Sequence, residues 1–220
     1  YVHNGWSMDY QALPPADIRV LAEPDALVDS LLPLMEADPR PADAWSSPAS
    51  RETPPEPDFS DPDRPIGQDD LSFMLNERRS ERLFTLMRVG LGFSSEYYPF
   101  DDPLDYLGYD GCGGLGAGPG MAIGVGLALK GTGRLAMSIV GDGDFLQGAT
   151  ALWTAAHYEI PVLVIVANNR SNYNDEIHRE VVALERGRPV ENKWIGMRLT
   201  DPPVDISALS RAQGVDAETV

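Results

Sequence analysis

Two apolar runs, residues 135–140 and 162–167, bracket a stretch of helical periodicity, and each gives way at once to oxygen-bearing residues. After Leu135-Ala136-Met137-Ser138-Ile139-Val140 comes Gly141-Asp142-Gly143; after Val162-Leu163-Val164-Ile165-Val166-Ala167 comes Asn168-Asn169. A continuous β-branched run predicts a strand buried on both faces of a parallel sheet. Parallel neighbours need a long crossover. A helix at about 145–157 supplies it, with Ala149, Leu152, Trp153 and Ala156 as its buried stripe. A right-handed crossover brings both strand ends to one sheet edge, where open α/β folds bind ligands. Asp142 and Asn169 are therefore predicted to meet. The expected fold is a three-layer, doubly wound, mostly parallel α/β sheet.

The residue types at that edge suit magnesium. Mg²⁺ takes six hard oxygens in near-octahedral array and is often shared with phosphates. Asp142 offers a carboxylate, Asn169 an amide oxygen and Ser171 a backbone carbonyl. Two oxygens of a diphosphate and a water complete the sphere. Gly141 and Gly143 let the backbone turn sharply and approach a phosphate, and the helix starting near Phe145 aims free N–H groups at the same spot. Gly-Asp-Gly alone is common in turns; the weight comes from both motifs at this spacing.

The rest of the chain reads as support. Residues 18–21 form a candidate strand, and from Asp25 the positions Leu27, Val28, Leu31, Leu32 and Met35 recur at helical spacing. Residues 1–38 thus read as the remnant of an α/β domain lying upstream. Residues 39–68 are a linker, with eight prolines between 39 and 65. The main domain spans 69–220. Leu71, Met74 and Leu75, then Leu83, Leu86 and Met87, continue a helical pattern. A glycine turn over 111–120 leads into a small-residue helix over 121–129 with Pro119 near its first turn. Residues 170–200 read as irregular, and Ile206 to Ala212 as a last helix. Both ends look cut, so the chain is expected to be a fragment.

A net charge of −17 disfavours nucleic acid and anionic membranes as partners. No apolar run is long enough for a helical membrane span. The one cysteine, Cys112, excludes an internal disulfide and fits a reducing, cytoplasmic location.

Residues 141–169 resemble the thiamine diphosphate signature, which opens with Gly-Asp-Gly and closes with Asn-Asn. Gly113-Gly114-Leu115-Gly116, followed by Pro119, Ala122, Ile123 and Gly124, is similar to the segment preceding it in the acetolactate synthase, benzoylformate decarboxylase and pyruvate decarboxylase group. The run Ala151-Leu152-Trp153-Thr154-Ala155-Ala156, with Tyr158 and Ile160-Pro161, looks most like the benzoylformate decarboxylase type. The likeness spans about 70–220.

The resemblance implies thiamine diphosphate and Mg²⁺ as cofactors. It implies Asp142, Asn169 and Ser171 as metal ligands. The Gly113 carbonyl would accept a hydrogen bond from the aminopyrimidine, and Leu115 would be the wedge that bends the cofactor. Gly114, Gly141, Gly143, Asp144 and Phe145 complete the implied cofactor contacts. The implied reaction makes or breaks the C–C bond beside a 2-oxo acid carbonyl, in a homodimer or homotetramer. The glutamate that activates the cofactor is expected outside this chain, so the fragment alone should not turn over.

Three departures stand out. Asp144 replaces a small residue; it brings negative charge near the diphosphate and is placed to cap its own helix. Cys112 stands where Gly or Ser is usual. Residues 170–176 differ from the usual loop, so the substrate does not carry over. Two further readings remain: a non-catalytic or truncated thiamine diphosphate module, and a dinucleotide-binding oxidoreductase. The latter rests on the GxGxxG match at 111–116, which lacks a preceding buried strand. His178 is a candidate for the substrate side and His157 a structural histidine, while Glu159, Glu176 and Glu180 read as a solvated face.

Overall fold

The computed structural model describes residues 2–3, 17–18, 20–39, 54–108 and 114–220. The chain divides into two compact units, Tyr1–Glu52 and Thr53–Val220. In the first, β1 (Val2–His3) pairs in parallel with β2 (Val20–Leu21), and α1 (Pro24–Ala37) follows. Proline in the first turn of α1 costs nothing, because that N–H has no helical acceptor. Most of its apolar residues, among them Leu31, Leu34 and Met35, are exposed, while Leu27 is half-buried.

The second unit runs α2 (Gln68–Glu77), a 3-10 turn (Arg78–Ser80), β3 (Phe84–Leu86), α3 (Ala117–Ala128), β4 (Leu135–Gly141) and α4 (Asp142–Gly148). A second 3-10 turn (Ala149–Ala151), α5 (Leu152–His157), β5 (Val162–Ala167), α6 (Tyr173–Glu185) and α7 (Ile206–Ala212) complete it. The sheet has the order β3-β4-β5, with every pair parallel.

Strand alternation sorts the core into two faces. Met137 and Ile139 of β4 join Phe84 and Leu86 of β3 and pack against Leu75 of α2 and Tyr98. On the opposite face, Val140 packs with Phe145, Ala149 and Leu152, with Ile206 and Leu209 of α7 closing over them. Ile123, Ala155 and Ile160 extend that layer. Helices cover both faces, which is the three-layer α/β arrangement expected, with parallel strands at its centre. Among the described residues, no helix is long and apolar enough to cross a membrane.

Several sequence expectations are corrected. Residues 84–86 form a strand, not helix: α2 ends in a 3-10 turn, and an apolar run this short fits either period. The crossover helix starts at Asp142 and breaks into α4, a 3-10 turn and α5. Trp153 leaves the buried stripe and is 54% exposed, while Ala155 is buried in its place. Strand β5 is only partly covered, because it borders the described sheet and Leu163 faces outward. The 170–200 stretch is not irregular throughout but holds α6, with Asp175 and Glu176 in its first turn and Ile177, Val181 and Leu184 at helical spacing.

Candidate functional site

Gly141 pairs with Ala167, so the carboxyl ends of β4 and β5 lie side by side. Asp142, the first residue of α4, is only 2% exposed. Its Oδ1 accepts a hydrogen bond from the Gly143 N–H at 2.9 Å, whereas Oδ2 is buried without a hydrogen-bond partner. Burial pushes the Asp142 carboxyl above the usual aspartate range, although backbone N–H groups of Gly143, Arg170 and Ser171 pull it the other way. The Gly141–Ala167 pairing sets the start of α4 and the start of the loop after β5 on one edge of the sheet.

The loop after β5 is a pair of side-chain turns. Asn168 Oδ1 accepts from the Arg170 N–H at 3.3 Å, and Asn169 Oδ1 from the Ser171 N–H at 3.0 Å. The Asn169 oxygen is thus in use, but an amide oxygen has a second lone pair. Residues 197–199 pin this loop from outside: the Asn172 N–H donates to the Met197 carbonyl at 3.0 Å, and the Leu199 N–H to the Arg170 carbonyl at 2.8 Å. Ser171 is buried, and its hydroxyl donates to the buried carboxylate of Glu176. Glu176 therefore leaves the solvated face assigned from sequence. Sequence hides this role because Glu176 sits in the first turn of α6, a helix inside the stretch read as irregular, while its partner Ser171 lies in the loop before it.

The glycines work differently from the sequence reading. Gly141 is extended (φ −72°), and Gly143 is not among the positive-φ glycines. Neither needs a left-handed turn, and only Gly143 makes a close approach within the chain. A Cβ on Gly141 would meet no atom within 4 Å, whereas one on Gly143 would sit 2.0 Å from Asn172 Oδ1. The Gly143 N–H is already spent on Asp142, and α4 has only seven residues, so little helix-end field remains for an anion. Gly148 is the more constrained glycine, since its Cβ would stand 2.2 Å from the Gly116 carbonyl oxygen. Gly148→Ala is expected to cost about 1–3 kcal/mol or more through forced backbone shifts. Gly143→Ala should cost less, because a side-chain end can swing away. Urea-induced unfolding of both variants checks the order.

Two implied cofactor contacts change place. The Phe145 side chain is buried in the core, so it cannot reach a ligand. Asp144 does not cap its own helix. Its Oδ1 accepts from the Gly116 N–H at 2.5 Å and more weakly from Gly118 at 3.5 Å, which caps α3 instead. Its Oδ2 forms an ion pair with Arg88 Nε at 2.7 Å, so the charge is neutralised within the chain. Gly113 and Cys112 lie outside the described residues. Gly114 and Leu115 are exposed, Leu115 at 46%.

His157 stacks on Trp153 at 4.7 Å between ring centroids. His178 lies on α6 beside a cavity of about 410 Å³, with Arg179, Arg188 and Met197 also in its wall. Among the described residues, no group of three or more His, Cys, Asp or Glu can hold a metal. The edge site instead combines one carboxylate with amide and carbonyl oxygens. Tyr106 pairs with Leu86 as an isolated bridge, so among the described residues no strand leads directly into the 111–116 glycines.

The sequence profile of the family described as "Thiamine pyrophosphate enzyme, C-terminal TPP binding domain" matches residues 91–220. Acetolactate synthase isozyme 3 large subunit of Escherichia coli (strain K12) is 40% identical over 78 residues, covering 36% of this chain and 13% of that protein. Benzoylformate decarboxylase of Pseudomonas aeruginosa is 34% identical over 116 residues, covering 53% and 20%. A solved structure, the Rhodococcus jostii RHA1 thiamine diphosphate-dependent 4-hydroxybenzoylformate decarboxylase, superposes with a TM-score of 0.65 at 25% identity, over 94% of this chain and 36% of that one. The chain thus matches only about a third or less of the length of these relatives.

Proposed function

Because the chain belongs to the thiamine pyrophosphate enzymes, through their C-terminal TPP-binding domain, we propose that it holds thiamine diphosphate through a Mg²⁺ ion bound by Asp142, Asn169 and the Ser171 carbonyl. The observation that carries this is the buried, partnerless Oδ2 of Asp142 at the edge shared with the loop after β5. A buried carboxylate oxygen with no hydrogen-bond partner is costly even where nearby N–H groups lend it some field. A divalent cation is the partner that suits it, and the neighbouring neutral oxygens match the hard donors magnesium prefers.

Each residue has a task in this reading. Asp142 supplies the anionic ligand. The Asx turn at Asn169 and the Glu176 hold on Ser171 fix the loop that presents the other two oxygens. Gly141 leaves the sheet edge clear of side chains. Leu115 presents an apolar surface for the cofactor rings. When bound, thiamine diphosphate supplies a carbon nucleophile and electron sink for bonds beside a carbonyl. The names of the relatives, a synthase and decarboxylases, support a reaction at the C–C bond next to a 2-oxo acid carbonyl. The activating glutamate and much of the substrate pocket are assigned to parts of the protein, or of a neighbouring copy, beyond this chain.

Calorimetric titration of the intact protein tests the reading. Thiamine diphosphate is expected to bind saturably with Mg²⁺ and far more weakly with a chelator present, and NAD⁺ not at all. Metal-independent binding of thiamine diphosphate, or preferential binding of NAD⁺, overturns it.

A further inference from the structure

Asp144 is one of the departures from the pattern the resemblance implies, and its surroundings give it a purpose. The α3 N-terminus begins at Gly116, which has no side chain to cap the orphan N–H groups of the first turn. Asp144, reaching across from α4, accepts from Gly116 and Gly118. Arg88 offsets the buried charge, with its side chain and that of Asp144 only 7% and 5% exposed. Arg88 is itself fixed in an uncommon left-handed conformation (φ 55°), where its N–H donates to the Gly108 carbonyl at 3.2 Å. Its own carbonyl accepts from Ser138 Oγ and from the Ile139 N–H, each at 3.1 Å. The fit around this pair excludes side chains: a Cβ on Gly118 would stand 2.5 Å from Val140 Cγ1 and 2.6 Å from Asp144 Oδ2.

This ion pair ties together two segments distant in sequence. Gly114 and Leu115 immediately precede the capped Gly116; Asp142 and Gly143 immediately precede Asp144. We propose that Asp144, held by Arg88, is a positioning residue that latches the glycine turn to the Gly141–Gly143 segment, setting the distance between the part of the site that takes the cofactor rings and the part that takes its diphosphate. This rests on the thiamine diphosphate reading above. The buried carboxylate lets a neighbouring element supply the cap for α3. The arrangement tolerates the charge because none of it is left for the diphosphate to meet.

The latch predicts a split between two affinities in the intact protein. For Asp144→Ala, thiamine diphosphate with Mg²⁺ is expected to bind at least about tenfold more weakly, while inorganic diphosphate with Mg²⁺ stays within about threefold of the unmodified protein. Asp144→Asn keeps an oxygen that can accept from Gly116, so its cofactor affinity should fall between the two. If the alanine variant does not fold, the asparagine variant is read by the same split. Equal loss of both affinities, a gain in diphosphate affinity, or no change in either overturns the latch. If the unmodified protein binds no thiamine diphosphate, the proposed function fails and the latch falls with it. If it binds and the variants show no split, the latch alone fails.

Discussion

Asp142→Ala in the intact protein is expected to lower Mg²⁺-dependent affinity for thiamine diphosphate by at least about a hundredfold, near 2.7 kcal/mol. The same change should leave the metal-free protein as stable as before, or more so. Both expectations come from one carboxylate. Asp142 is buried, one of its oxygens has no partner, and its carboxyl is pushed upward by burial. A raised folded-state pKa means that the ionised form is disfavoured by folding. Its contribution to stability is therefore most favourable below the unfolded value near 3.8 and is lost as pH rises through the folded value. At neutral pH an ionised Asp142 without a cation burdens the fold, and alanine removes that burden. With a cation the balance reverses, because the ligand that completes the ion's oxygen shell is missing. Calorimetry with and without Mg²⁺, alongside thermal unfolding in chelator, separates the two. Unchanged cofactor affinity refutes the metal assignment; a large loss of metal-free stability shows instead that Asp142 is a structural residue.

How much of this site was readable depends on how local each signal is. The β4–α4–β5 unit was legible because two apolar runs and their polar ends encode strand, edge and direction together. The parallel register follows from there. The sharp turn expected at Gly141 and Gly143 does not form: both keep ordinary φ, and only at Gly143 does the chain itself crowd the missing side chain. Asp144 could be recognised as unusual, but its partner Arg88 lies 56 positions earlier, at the end of a strand that the period of Leu83, Leu86 and Met87 disguised as helix. Glu176 was misread for a related reason. Charged residues near a helix start are usually solvated, and only the fold of the 197–199 segment over Ser171 turns this one inward. Pairings that depend on two distant segments meeting leave no periodic trace in either.

Asp105 is the strongest example, and it carries the second large prediction: Asp105→Ala is expected to cost about 3–5 kcal/mol, a substantial part of the roughly 5–15 kcal/mol that holds a domain folded. Nothing in the acidic loop at 101–105 singles it out by sequence. In the fold its Oδ2 accepts from an Arg79 guanidinium N–H at 2.6 Å and from the N–H groups of Asp101 and Asp102, each at 3.0 Å. Arg134 approaches Oδ1 at 3.4 Å while donating to the Phe84 carbonyl at 3.0 Å. The Asp105 carbonyl accepts from the Leu86 N–H at 2.9 Å. Asp105 thus joins the turn after α2 and the approach to β4 through its carboxylate, and the edge of β3 through its backbone carbonyl. Removing the carboxylate leaves two backbone donors without their acceptor and takes a buried anionic partner from two guanidinium groups, which keep their bonds to the Pro99 and Phe84 carbonyls and to Asp102. Asparagine keeps an acceptor without the charge and should cost less. Burial raises the Asp105 pKa, but the Asp102 and Asp101 N–H groups, with Arg79 and Arg134, outweigh it and hold the carboxyl below its usual 3.8. A lowered folded-state value gives stability that is fully present above the unfolded pKa and lost as pH falls through the folded one. The gap between the unmodified protein and Asp105→Ala, read by urea unfolding, should therefore be full at pH 7 and narrow as pH falls below about 4. A gap that widens in acid, or a cost under about 1 kcal/mol at pH 7, rules out this network as the clamp on β3.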